Sequence, residues 1–366
     1  MRTHPFVASL AAMLLCVALA ACSSQADSAQ KPDETPLDAD SAPEEEADTP
    51  HTSTEEPEDD SRHIPLGWAA HPQEPEEGDE DNEDEEGEEE EEDEGEGDDT
   101  PVDAVTGGED GKTVTASDTD ELTEHLASEE PLTIEVSGEI DLDGDTHVPS
   151  NTTLVGEEAV LSGGRLIVEG AHNVVLDGLR IEAGDTAVAV RGRSHHVWVH
   201  GSTFVGGKDG SLVSITDGAD HVTLSWNHFR EATSVLDIGD SDDRPGALHV
   251  TVHHNFFDGT SGRHPRARFA EHVHVFNNYF RSNDEDGVRS THEANVLVEG
   301  NYFESTALSV ATEEDEPGNA VARDNLLVDS EQPMTRGSVS DPPYVYELDE
   351  TAQVPELVRA GAGVMS

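Results

Sequence analysis

HNVVLDGLRI (172–181), HHVWVHGSTF (195–204), DHVTLSWNHF (220–229), LHVTVHHNFF (248–257), EHVHVFNNYF (271–280) and ANVLVEGNYF (294–303) are copies of one short pattern. A weaker copy, NAVARDNLLV, begins at Asn319. The anchor valines Val174, Val197, Val222, Val250, Val273, Val296 and Val321 recur at roughly 23 to 28 residues, the period of solenoid turns. Within each copy apolar and polar residues alternate over a few positions, which marks a strand and not a helix. Stacked turns lay like on like. The valines form interior columns, and Ile181, Phe204, Phe229, Phe257, Phe280 and Phe303 close each copy at one register. No single turn can bury its own apolar face, so the stack is the unit of stability. The expected fold class is all-β, a right-handed parallel β-helix (solenoid).

Two positions before the closing Phe stand Asn227, Asn255, Asn278 and Asn301. A column of amides at a bend can pass hydrogen bonds from turn to turn and fix the register, so these Asn read as structural. His221, His249 and His272 recur at solenoid spacing and read as surface decoration rather than a metal cluster. Upstream, Ser117, Asp118, Thr119 and Asp120 open a short helix through Leu126, with a capping side chain and acids in the first turn. That helix is expected to plug the open end of the solenoid, whose bare strand edges would otherwise invite pairing with other chains. The tail, 342–364, is expected to pack back along the outside.

The 366 residues carry a formal net charge of -63, and nearly half of the 82 acids precede Gly111. A stretch so charged and so poor in apolar groups cannot offset its ordering entropy. Residues 23–110 therefore read as a disordered acidic linker, extended by self-repulsion and densest at 88–92. Within it HIPLGWAA (63–70) is an apolar island with no assignable role. Residues 111–366 hold the aliphatic and aromatic residues of a single core. Nucleic acid is excluded as a partner, because phosphate binding needs clustered Lys and Arg, and Lys is confined to Lys31, Lys112 and Lys208. Excess acid with scarce Lys fits a high-salt setting, where repulsion is screened over about 3 Å at 1 M.

Residues 1–22 read as an export signal: Arg2, then an apolar run over 6–18 too short to span a membrane. It ends in Leu19-Ala20-Ala21-Cys22, which resembles a bacterial lipobox. The chain's two cysteines, Cys16 and Cys22, both lie here, so no disulfide can form within the folded part. The expectation is a secreted, monomeric protein held at a cell surface by a lipid on Cys22.

From Thr113 to Val364 the order of segments resembles the pectate lyases of polysaccharide lyase family 1. The matching pieces are TIEVSGEI (133–140), SNTTLVGEEAVLSGG (150–164), VWVHGSTF, SWNHF, HHNFF, HVHVFNNYF and VPELVRAGAGV (354–364). The sharpest is Arg263-His264-Pro265-Arg266-Ala267-Arg268, which fits the family's R-x-P-x-x-R signature. The resemblance implies β-elimination on polygalacturonate or pectin, an acidic polysaccharide partner, and Ca2+ as cofactor. It implies Arg263 as the base, with Arg268 and Arg266 gripping the substrate carboxylate as planar forks. It places calcium ligands at Asp185 and Asp209. The sequence departs from the family at Thr186 and Ser214, where carboxylates are expected, and at Ser234, where a lysine is expected. Trp198-Val199-His200-Gly201 replaces the family's Trp-Ile-Asp-His. Asp237 and Asp240 lie near the altered positions and could compensate. Two alternatives stand beside the pectate lyase: a calcium-independent pectin lyase, and a non-catalytic carbohydrate binder on the same scaffold.

Overall fold

The computed structural model of the chain describes residues 61–73, 102–208, 210–312 and 315–364. The export segment with Cys22, most of the acidic linker, and Asp209 lie outside the described residues.

The repeats coil into a parallel β-helix. One wall is an eight-stranded sheet running from Asp145–His147 through Ser211–Ile215, Ser234–Ile238, Arg266–Arg268 and Val288–Thr291 to Val310–Thr312, each strand parallel to the next. The repeat strands His172–Asp177, His195–His200, Asp220–Ser225, His249–His253, His272–Phe276 and Asn295–Glu299 make another wall. The valine register is as the repeat predicts, Val174 against Val197 and on to Val273 against Val296, all fully buried. The last turn slips by one residue. Val296 faces Ala320, and Val321 pairs with Leu297 and is half-buried. Ala320 takes the buried anchor register, so Val321 is not the anchor that its spacing suggests.

The side-chain columns follow. Phe204, Phe229, Phe257, Phe280 and Phe303 stack with centroids 5.0, 5.3, 4.8 and 4.4 Å apart. Beside them Asn227, Asn255, Asn278 and Asn301 form a ladder in which each amide donates to the next Oδ1 at 3.0–3.1 Å. Asn325 extends it by one rung. The helix Thr119–Leu126 is capped by Asp118, whose side chain accepts from Glu121 N at 2.9 Å. Its Leu122 and Leu126 face into the core at the solenoid's end.

The folded body starts earlier than position 111. Asn173 Oδ1 accepts from Thr106 N and Gly107 N, both at 2.7 Å, which fastens the stretch before the first strand. The apolar island also has a place. Trp68 is buried against the rings of His221, His249, His272 and Tyr344. Its backbone N donates to Thr251 Oγ1 at 3.0 Å, and Ala69 N donates to Thr223 Oγ1 at 3.1 Å. Gly67 turns the chain onto this face at φ +92, and a Cβ there would sit 2.5 Å from Thr251 Oγ1. The three histidines read as surface decoration are thus a floor for Trp68. Their periodic spacing hid this, because the covering residue lies far away in sequence.

The tail is a strap along the outside. Tyr344 Oη lies 2.9 Å from Thr251 Oγ1 and 2.8 Å from His274 Nδ1, and His254 Nε2 meets Asp349 at 2.8 Å. Tyr346 donates to buried Glu299 at 2.5 Å, and His274 and Arg323 hold the same carboxylate. Burial pushes Glu299 up, but hydrogen bonds from His274, Arg323 and Tyr346 outweigh it and hold the carboxyl at about 2. A folded pKa below the ordinary 4.5 makes this contribution complete above that value and lost as pH falls toward 2. Relative to the repeat strands, the amides of 340–349 should exchange faster at about pH 2.5 than at about pH 5. Equal relative exchange at the two pH values would contradict this role for Glu299.

Candidate active site

Alternation along the eight-stranded wall decides which side chains leave the core. In Ser234–Ile238, Leu236 and Ile238 point inward and Asp237 outward; in Arg266–Arg268, Ala267 points inward and both arginines outward. Parallel pairing then aligns Ser214, Asp237, Arg266 and Arg289 across four successive turns.

Asp237 is the hub. Arg263 Nη1 lies 2.8 Å from its Oδ2, Arg266 Nε lies 3.1 Å from its Oδ1, and Ser211 Oγ donates to Oδ2 at 2.6 Å. Asp286 serves the next turn, with Oδ2 2.6 Å from Arg289 Nε. Arg263 has φ +62, and its side chain is 37% exposed, so the guanidinium stands at the surface with one face open. The two residues between Arg263 and Arg266, His264 and Pro265, are both buried. His264 is fully buried against Phe257 and Phe280, 2.8 Å from Thr260 Oγ1 and 2.9 Å from the carbonyl of Asp286. Burial pushes its imidazole down to about 4, so it is neutral at pH 7. His264 is the plug that sets Arg263 and Arg266 outward on either side of it.

Arg268 sits two residues along the strand. Its Nη2 lies 3.2 Å from His292 Nε2, and among the described residues it makes no ion pair. Its buried Nε has no hydrogen-bond partner. A guanidinium so placed is equipped to take a carboxylate from outside.

Calcium needs six to eight oxygen ligands, several of them anionic. Asp185 is exposed and lies over Gly210, where a Cβ would come within 1.8 Å of its Oδ1. Thr186 and Ser214 bring hydroxyls, and Asp237 is committed to two guanidiniums. Among the described residues this donor set does not fit a calcium ion, and the wall's positive charge is carried by arginines. Asp209 lies outside the described residues. Asp237 lies on the arginine wall, paired with Ser214 in register, whereas Asp240 belongs to a turn, accepting from Asp242 N at 2.8 Å.

Residues 100–343 match the family model described as pectate lyase. The chain belongs to the pectate lyase family. It is 31% identical over 283 residues to the pectate trisaccharide-lyase of Bacillus licheniformis, covering 71% of this chain and 83% of that protein. It is 32% identical over 186 residues to the pectate trisaccharide-lyase of Thermotoga maritima, covering 46% and 50%. In fold it is similar to a pectate lyase from Bacillus sp. N165 solved in complex with trigalacturonate. The TM-score is 0.65 and the identity 24%, covering 82% of this chain and 98% of that one. As a pectate lyase relative it keeps both signature arginines. Three residues that build this wall did not stand out in the sequence: His264, Asp286 and Arg289. The repeat carried a signal for Arg289, since one turn's period moves Arg266 onto it.

Proposed function

We propose that this pectate lyase family member cleaves polygalacturonate by β-elimination at the arginine-lined wall. The reading rests above all on the outward constellation of Arg263, Arg266 and Arg268 around Asp237. Arg268 and Arg266 bind the carboxylate of the uronate being cleaved, and Asp237 with Ser211 fixes the directions of Arg263 and Arg266. Charge that develops on the carboxylate side of the reacting carbon is met by guanidiniums already in place. Arg263 removes the proton from carbon 5, and that electron pair becomes the double bond to carbon 4. The bond from carbon 4 to the glycosidic oxygen breaks, and the departing oxygen takes a proton from water. A guanidinium, with a pKa above about 12, is a poor base. Arg263 and Arg266 share the Asp237 carboxylate, which fixes the direction of the Arg263 guanidinium.

The sequence further supports export and attachment through a lipid on Cys22, with 23–60 and 74–101 as the charged tether. We assign the protein to the outer face of a membrane, acting on acidic polysaccharide as a monomer.

Ultraviolet absorbance of unsaturated uronide, followed on polygalacturonate and on methylated pectin with calcium or with chelator, tests the reading. Product is expected on polygalacturonate, and chelator is expected to lower the rate by less than about tenfold, because arginines carry the charge. Complete loss with chelator would assign calcium an essential place that the described donors do not supply. Product only on methylated pectin would favour the pectin-lyase alternative. Binding of both polymers without product would favour the carbohydrate binder.

A further inference from the structure

The motif Trp198-Val199-His200-Gly201 lies on a different wall from the arginines, and the proposed chemistry does not use it. His200 ends the strand His195–His200, and its register partner one turn back is Asp177, the end of His172–Asp177. The apolar island brings His63 to the same place, its ring 5.3 Å from that of His200. One ligand atom from each of His63, Asp177 and His200 lies within 4.8 Å of the other two. The three border a cavity of about 280 Å³ whose wall also includes Glu158 and Trp226.

The supporting groups suit a metal. His200 Nδ1 lies 3.0 Å from Ser225 Oγ, which also accepts from Trp198 Nε1 at 2.8 Å. Ser225 thus orients the His200 ring through Nδ1, the kind of outer contact that positions a metal-binding imidazole. Asp177 is a half-buried carboxylate that makes no ion pair with Lys or Arg among the described residues. Burial pushes it up, with the His63 ring opposing. Arg62, in the same wall, is placed over the Trp226 ring at 5.8 Å.

We propose that His63, Asp177 and His200 form a binding site for a divalent transition metal of the zinc class, which fastens the tether's apolar island to the β-helix. Two imidazoles and a carboxylate select such an ion over calcium, which takes oxygen ligands. Three protein ligands leave a fourth position to water from the cavity. The other histidine–acid group, Asp220 with His221 and His249, differs in kind. There the carboxylate already accepts from His221 N, His249 N and His249 Nδ1, and Trp68 covers it. It is satisfied by the protein itself.

The test is titration of the metal-stripped full mature chain with Co2+, followed by visible absorption and by competition with Zn2+. Cobalt bound by imidazoles in a four-coordinate site absorbs intensely. Cobalt on the oxygen ligands of the acidic tether absorbs weakly, so the two are separable. The wild type should bind one equivalent with the intense band. His63→Gln should lower that affinity by about tenfold or more, with strand content by circular dichroism unchanged, because His63 is exposed. His249→Gln should bind as the wild type does. A wild type without the intense band, a His63→Gln variant that keeps it at full affinity, or a loss confined to His249→Gln would each overturn the proposal.

Discussion

Arg263→Ala should lower kcat on polygalacturonate by about a thousandfold, the scale of a lost general base, while changing KM only a few-fold. The side chain is more than a third exposed and its backbone is already in the left-handed region. Its removal leaves Asp237 still held by Arg266 and Ser211. Thermal stability should therefore move by no more than about 0.5 kcal/mol. The same truncation at Arg268 should appear chiefly in KM, because that side chain is assigned to binding. Steady-state kinetics with a melting curve separate the two cases. Arg263→Ala turnover within tenfold of wild type would remove Arg263 from the role of base.

The largest stability effect is expected in the asparagine ladder. Asn255 Oδ1 accepts from Asn227 N and Asn227 Nδ2, and its own Nδ2 donates to Leu224 O, His253 O and Asn278 Oδ1. The site is fully buried, so no water replaces these partners. Each orphaned group costs about 1–3 kcal/mol, and Asn255→Ala should cost about 4 kcal/mol in all. Asn325, the half-buried last rung, donates Nδ2 to Val298 O alone, and its Oδ1 accepts from Asn301 N and Nδ2. Its alanine variant should cost about 1 kcal/mol, since water can reach what is left. Denaturant unfolding of both variants checks the gradient. Equal losses at the two rungs would mean that the ladder does not act through buried hydrogen bonding.

The fold was legible because a solenoid writes its period into the chain. Valine, phenylalanine and asparagine columns each repeat at the turn length, and each is where the spacing placed it, up to the slip at Val321. The signature arginines were legible for a different reason, since Arg263, Arg266 and Arg268 sit within six residues and alternation alone sends the last two to one face. What escaped were contacts between distant segments. Trp68 on the histidine floor, Asp286 beside Arg289, and the inward turn of His264 depend on which turn lies over which. Composition misled at 61–73 and 102–110, because a mostly acidic stretch hid two short pieces whose apolar side chains, Trp68, Ala69 and Val105, are buried on the solenoid.

The central claim is that the arginine wall performs an elimination. The most direct measurement is mass analysis of the oligosaccharides released from polygalacturonate, comparing wild type with Arg263→Ala. Wild type should release fragments whose new non-reducing ends are unsaturated, lighter by one water than hydrolytic fragments, and Arg263→Ala should release almost none. Fragments with saturated ends, or no depolymerisation by the wild type, would contradict it.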